Sequence, residues 1–354
     1  MQTESPLSDQ LQLSSSPRGW VTVIAVGFCF VVMAAIIAPM ILAARESARK
    51  TQSMNTLRNI CLSIQNFQSS ARGRPPIGAG IGDDGTARHG VWYRILPFFE
   101  SSPVFDWVDS DHAWDDPTNA WIFRLQHNYF QNPSEARRTT KDGFGVIHYA
   151  VNQQVIGPNH SLSPDDMKTG LDQIPLCGEV AANFVPWGYP FQSRDPRLAL
   201  NSTPESFGRP TGDGALFGMA DGSVKWLAND ADITFNTDLP PAALTVNAPP
   251  YPDRFNIEGK FESIRILNYS KSGPEPITTE MVQTAINETP NAQSLIAPGW
   301  SPTESDIDML KSLKHMHYLV IASPESDAAM DKLVAFKQLD TIVCDRKVIR
   351  DQAK

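Results

Sequence analysis

Between residues 20 and 44 the chain has no charged side chain, and elsewhere it has no excess of positive charge. Thirty Lys and Arg against 39 Asp and Glu give a net charge of -9, which repels a phosphate backbone and argues against nucleic acid as a partner. Cysteine is scarce and scattered. Cys29, Cys61, Cys177 and Cys344 form no CxxC pair, so the usual thiol zinc and redox motifs are absent. There is no Gly-x-Ser-x-Gly elbow, no HExxH and no cysteine with a histidine placed by a motif. No catalytic residue, cofactor or metal-ligand set is therefore assigned, and a non-enzymatic role is expected. Only 19% of residues are charged while 28 are proline, which excludes a long helical bundle and favours a loop-rich body with many turns.

What is present begins with a polar stretch, residues 1–19, expected to be a flexible leader with too little apolar surface to offset its ordering entropy. The uncharged run that follows, WVTVIAVGFCFVVMAAIIAPMILAA, meets the roughly 20 residues a helix needs to cross a bilayer. A cleaved secretory signal would have a shorter apolar stretch and a basic leader, whereas this leader carries Glu4, Asp9 and Arg18. Arg45, Arg49 and Lys50 follow the span, so charge alone places the body in the cytoplasm. Beyond it Met54, Leu57, Ile60, Cys61, Ile64 and Phe67 recur at helical spacing and predict one helix running to about residue 71, with Pro39 inside it. Gly73, Pro75 and Pro76 end it.

From residue 78 to about 232, short apolar runs separated by Gly, Pro, Asn and Asp predict an α+β domain. Its clearest element is GALFGMADGSVKWL. Asp221 and Gly222 as a two-residue turn would pair Met219 with Val224 and Phe217 with Trp226 on one face. Residues 236–256 hold five prolines and read as a linker. After them, Leu310, Leu313, Met316, Leu319 and Ile321 match Leu333, Phe336, Leu339, Ile342 and Cys344 at a constant shift of 23 residues. Ile286, Ala292, Leu295 and Ala297 form a weaker upstream copy, and Phe261, Ile264 and Ile266 would begin the series. The period suits a leucine-rich repeat, although the consensus asparagine is missing; a single α/β subdomain is the alternative.

The segment IIAPMILAARESARKTQSMNTLRNICLSIQNFQ resembles the start of a bacterial pilin-like family of unknown function with a prepilin-type helix. Pro75 and Pro76, VWYRILPFFE, WDDPTN, the Phe130 to Ser134 segment, a Glu179 segment and ADGSVKWL follow in the family's order. The last resembles the end of a His-x9-Asp-Gly box, with Asp221 and Gly222 as its turn and Thr211 in place of its histidine. Ser53 and Asn132 stand where family members commonly carry a cysteine pair, so the bridge that pairing implies is missing here. Gly19 and Trp20 mark a possible leader-peptidase site, but the glutamate expected five residues into the mature chain is Ile24. The resemblance implies an exported body, against the charge count.

Three weaker signals remain. Gly80 to Gly85 spells GxGxxG, but a Pro-Pro precedes it and Asp83 and Asp84 would repel phosphate, so a loop is expected. Asp106, Asp109, Asp111, Asp115 and Asp116, interleaved with Trp107, His112 and Trp114, could offer oxygens to calcium or form a solvated acidic loop held by the tryptophans. His315 and His317 would share a face on a strand.

The expected fold is α+β. A transmembrane and pilin-like helix (20–72) leads to a pilin-like antiparallel-sheet domain (73–235), the Pro-rich linker (236–256) and a C-terminal α/β leucine-rich-repeat-like domain (257–354). The expected role is a membrane-anchored pilin-like structural or secretion-associated protein; a tethered protein-binding module acting through the C-terminal domain is the alternative. Expected partners are membrane lipid and other pilin-like or envelope proteins, including copies of itself, with no nucleic acid. The expected location is the inner membrane, crossed once, with a cytoplasmic N-terminus and an exported body.

Overall fold

The computed structural model describes residues 17–81, 86–99, 103–158, 160–167, 170–231, 263–266, 269–270, 273–274, 276–345 and 347–351. The leader up to residue 16, the last four residues of the GxGxxG segment, the Pro-rich linker and Phe261 lie outside them. The chain divides into two compact units, residues 1–51 and 52–354.

The described part of the first unit is helical. Helix α1 runs over Pro17–Ser70 with Pro39 inside it; at 1.5 Å per residue its 54 residues extend about 80 Å. It is long and apolar enough to cross a membrane, with a mean hydropathy of 2.6 over its most apolar window. From Val26 to Leu42 its large apolar side chains are exposed: Phe28 is 68% exposed and Met40 66%. A surface of this composition and length suits lipid.

In the second unit α1 becomes amphipathic, and its apolar stripe is buried. Leu57, Ile60, Cys61 and Ile64 are fully covered while Asn55, Arg58, Asn59, Leu62 and Asn66 are exposed. The helix closes on Arg72 and Gly73, at left-handed φ of 56° and 82°, where the Gly73 amide returns to the Gln68 carbonyl at 2.9 Å. Short helices α2 (Val91–Ile95), α3 (Pro103–Trp107) and α4 (Pro117–Phe123) follow. Asp116 caps α4 by accepting from the Thr118 amide at 2.9 Å, and Pro117 fills the first turn, so WDDPTN is a helix start.

The stripe packs on a five-stranded sheet made of β1 (Tyr149–Asn152), β2 (Pro175–Glu179), β3 (Ser193–Arg194), β4 (Gly214–Met219) and β5 (Val224–Ala228). The spatial order is β5-β4-β2-β1-β3, antiparallel except for the β1/β3 pair. Tyr149, Val151, Cys177 and Leu216 belong to the core that includes the helix stripe. Ala150, Ala215, Phe217 and Met219 project into a second core with Phe184, Leu200 and Phe207.

The expected β4/β5 register is corrected by one residue. Gly218 pairs with Val224, Phe217 with Lys225 and Leu216 with Trp226. The turn is longer than the two-residue form: the Gly222 amide reaches the Met219 carbonyl at 2.9 Å, the Met219 amide reaches Ser223 at 2.8 Å, and Gly222 has φ of 88°. This is a three-residue loop with a glycine bulge, in which one extra residue moves Phe217 and Trp226 to opposite faces. Asp221 holds it by accepting from the Ser223 amide at 2.8 Å.

A second sheet contains β6 (Ser263–Arg265), β7 (Ser294–Ala297), β8 (Tyr318–Ile321), β9 (Thr341–Cys344) and β10 (Lys347–Asp351) in that order, parallel except for the antiparallel β10. Leu295 is in register with Leu319 and Leu319 with Ile342, steps of 24 and 23 residues. Helices α5 (Thr279–Glu288), α6 (Glu304–Met309) and α7 (Asp327–Val334) connect the strands, and Val282, Ile286, Ile307 and Leu333 pack on Leu295, Leu319 and Ile342. The opposite side chains, Ile296, Tyr318, Val320 and Val343, join the core that holds Trp121 of α4. Arg124, just past α4, lies 3.9 Å from the Tyr318 ring and 4.5 Å from that of Phe144.

Candidate functional site

The polar groups that converge most closely lie where α1 meets the first sheet. Ser53 ends the buried stripe toward the N-terminus of α1, Glu179 ends β2, Tyr149 opens β1, and Asn132 sits on the segment after Phe130. All four are essentially without solvent exposure. Ser53 Oγ donates to Glu179 Oε1 at 2.5 Å and contacts Tyr149 Oη at 3.0 Å. Asn132 Nδ2 donates to the same Oε1 at 2.7 Å, and the Leu216 amide of β4 donates to Oε2 at 3.0 Å. One carboxylate thus ties together the helix, the central strands and the Asn132 loop.

That loop is set by His148. Its Nδ1 accepts from the Asn132 amide at 2.9 Å and its Nε2 lies 2.7 Å from the Arg137 carbonyl, which fixes the neutral ring with the proton on Nε2. Asn132 Oδ1 accepts from the Ser134 amide at 2.9 Å, and Ser134 Oγ accepts from Arg209 at 3.2 Å. Burial, then the neighbouring Arg138, pushes the His148 pKa down to about 3. Burial pushes the Glu179 carboxyl above its ordinary range, against the pull of Ser53, the Leu216 amide, Arg209 and Asn132. Tyr149 is raised by burial and by the adjacent Glu179.

Chemically, the node fastens. Its serine, phenol and carboxylate are sealed from solvent and engaged with one another, so a dissolved substrate has no approach to them.

The other sequence-selected residues are dispersed. Gly19 and Trp20 lie in the opening turns of α1, and Asp221 and Gly222 form the β4/β5 turn. Gly80 and Ile81 belong to a short strand, Ala79–Ile81. In the acidic segment, Asp109 accepts from the Asp111 amide at 2.9 Å and pairs with His112 at 3.1 Å, and Asp116 caps α4. Asn119 binds the carbonyls of Asp109, His112 and Ala113 at 2.8 to 3.1 Å, while Trp107 and Trp114 are buried. Among the described residues no group of three or more His, Cys, Asp or Glu side chains is placed to hold a metal. His315 and His317 precede β8 instead of sharing a strand face, and His317 pairs with Asp340 at 3.1 Å.

A second site lies beyond the carboxyl ends of β7, β8 and β9, where open parallel sheets commonly receive ligands. It is a half-open cleft of about 410 Å³ lined by Trp121, Pro298, Gly299, Ser301, Ala322 and Asp345. Asp345 takes a left-handed φ of 46° and accepts from Ser323 Oγ.

Sequence reasoning selected Ser53 and Asn132 as a missing pair, and the structure brings both onto one oxygen. It missed the roles of Glu179, Tyr149 and His148. A glutamate closing the otherwise uncharged PLCGE strand was the available signal.

Residues 42–170, about a third of the chain, match the family described as a protein of unknown function (DUF1559). The match spans Ser53, Asn132, His148 and Tyr149 and stops before Glu179. No curated protein and no solved structure matches.

Proposed function

We propose that the chain is a non-enzymatic, membrane-anchored, pilin-like structural or secretion-associated protein, with its N-terminus in the cytoplasm and its body exported. The observation that carries this reading is the division of α1. Its first half is apolar on every side, and its second half buries one stripe against an antiparallel sheet, sealed by the Ser53–Glu179 node. The family match over residues 42–170 is compatible with it. Partners on this reading are membrane lipid and other pilin-like or envelope proteins, copies of itself included.

The outward face of the helix, Asn55, Asn59, Leu62 and Asn66, is the surface such an assembly would use. Single cysteines at Asn59, Leu62 and Asn66 should give intermolecular crosslinked products in intact membranes. Only monomer at all three positions would refute assembly through this face.

A second reading, a tethered protein-binding module acting through residues 257–354, is favoured by the in-register steps of the parallel sheet, which suit a leucine-rich-repeat-like unit. The sheet face that such repeats leave open is covered here by Trp121 and Arg124. Binding on this reading would use the cleft past β7 to β9. Ala322→Arg should then abolish partner capture at unchanged melting temperature; undiminished capture would refute it.

A further inference from the structure

Two turns beyond Ser53, α1 presents Cys61; two residues before Glu179, β2 presents Cys177. The helix and strand that meet at the carboxylate therefore meet again at a pair of thiols. Both cysteines are fully buried and their Sγ atoms are 3.8 Å apart. The residue paired with Cys177 on β4 is Gly218. A Cβ at Gly218 would collide with Cys61 Sγ and come within 3.1 Å of Cys177 Sγ, so the glycine leaves the space into which both sulfurs project. A disulfide has its sulfurs about 2.05 Å apart, and each Sγ moves by rotation about its own Cα–Cβ bond, the motion that would bring the two together.

We propose that Cys61 and Cys177 are the two halves of a disulfide that staples α1 to the sheet. The proposal rests on the exported orientation above, because an oxidising compartment is where such a bond persists. The oxidant is a disulfide compound, protein or small molecule. One cysteine thiolate attacks it to give a mixed disulfide and one released thiol. The second cysteine then displaces the other half, so the chain loses two hydrogens and the oxidant becomes two thiols. The Cys61 contact, then burial, raises the Cys177 thiol well above its ordinary value. Exchange therefore occurs while the chain folds, before the sheet covers α1, and the finished pair is shielded from reductants. The bond closes a loop of 116 residues, a large restriction on the unfolded chain.

The test uses the full chain, isolated from membranes with free thiols blocked at lysis and mapped by peptide mass, alongside protease access from each side of the membrane. The expected result is a linked Cys61–Cys177 peptide, with Cys29 and Cys344 carrying the blocking group. Blocked Cys61 and Cys177 in a chain whose body is exported would overturn the proposal and leave the orientation standing. Should the body prove cytoplasmic, refolding the purified chain from denaturant in mixed oxidised and reduced glutathione decides the pairing. A Cys61–Cys177 bond upholds it, and glutathione adducts or pairing with Cys344 overturn it. The oxidised chain should melt roughly 5 to 10 °C above the reduced one. The double variant Cys61→Ala/Cys177→Ala should lose that response to reductant.

Discussion

Glu179 shows how one side chain can fix the contact of a helix with a sheet. Its two oxygens take Ser53, Asn132 and the Leu216 amide, and removing them strands three buried donors at once. Glu179→Ala should destabilise the fold by about 3 kcal/mol, measured by denaturant unfolding, whereas Ser53→Ala should cost about 1 kcal/mol. The buried histidines act in the same direction under acid. Burial lowers His89 and His127 to about 4 and His148 to about 3. Each folded-state pKa lies below the unfolded value, so each contribution is complete above about pH 6.5 and is lost as pH falls toward 4. Within that window three such groups remove on the order of 4 kcal/mol per pH unit. Glu179 opposes them, because its raised pKa favours the folded state as pH falls. Melting temperature should therefore drop steeply below pH 6, less steeply in His148→Gln. None of the three histidines was visible in the sequence as a buried group, since no local pattern distinguishes them from exposed ones; only the surrounding aromatic side chains do so.

At the scale of elements, legibility followed the local period. The α1 stripe and its Gly73-Pro75-Pro76 ending are periodic or conformational signals within a few residues, and both were read correctly. The β4/β5 hairpin was legible but its register was not, because Asp-Gly suits both a two-residue turn and the last positions of a three-residue loop with a bulge. The difference decides the energetics: Leu216 is fully buried against α1, and Trp226 is half-buried on an edge strand. Leu216→Ala should cost about 2 to 5 kcal/mol and Trp226→Ala less. Arg124 stacks on Tyr318 and Phe144, so Arg124→Ala should loosen the second sheet from α4 by about 1 kcal/mol. Increased hydrogen exchange in β8 and β9, with β1 and β2 unchanged, is the expected readout. That contact joins segments nearly 200 residues apart in sequence, beyond the reach of any periodicity.

For the whole molecule, an uncharged apolar helix and a buried amphipathic continuation belong to one element, and two five-stranded sheets, one mostly antiparallel and one mostly parallel, carry most of the described strand residues. The position of the body relative to the membrane follows from no contact within the chain. Charge after the span favours the cytoplasm, and the resemblance, which runs from about Trp20 to Leu227, favours export. Protease added to sealed inner-membrane vesicles of known sidedness separates the two most directly. Right-side-out vesicles should lose residues beyond about 72 while retaining a protected fragment containing 20–44, and inverted vesicles should protect the body. Digestion of the body only in inverted vesicles, or recovery of the intact chain in the soluble fraction, would contradict the account.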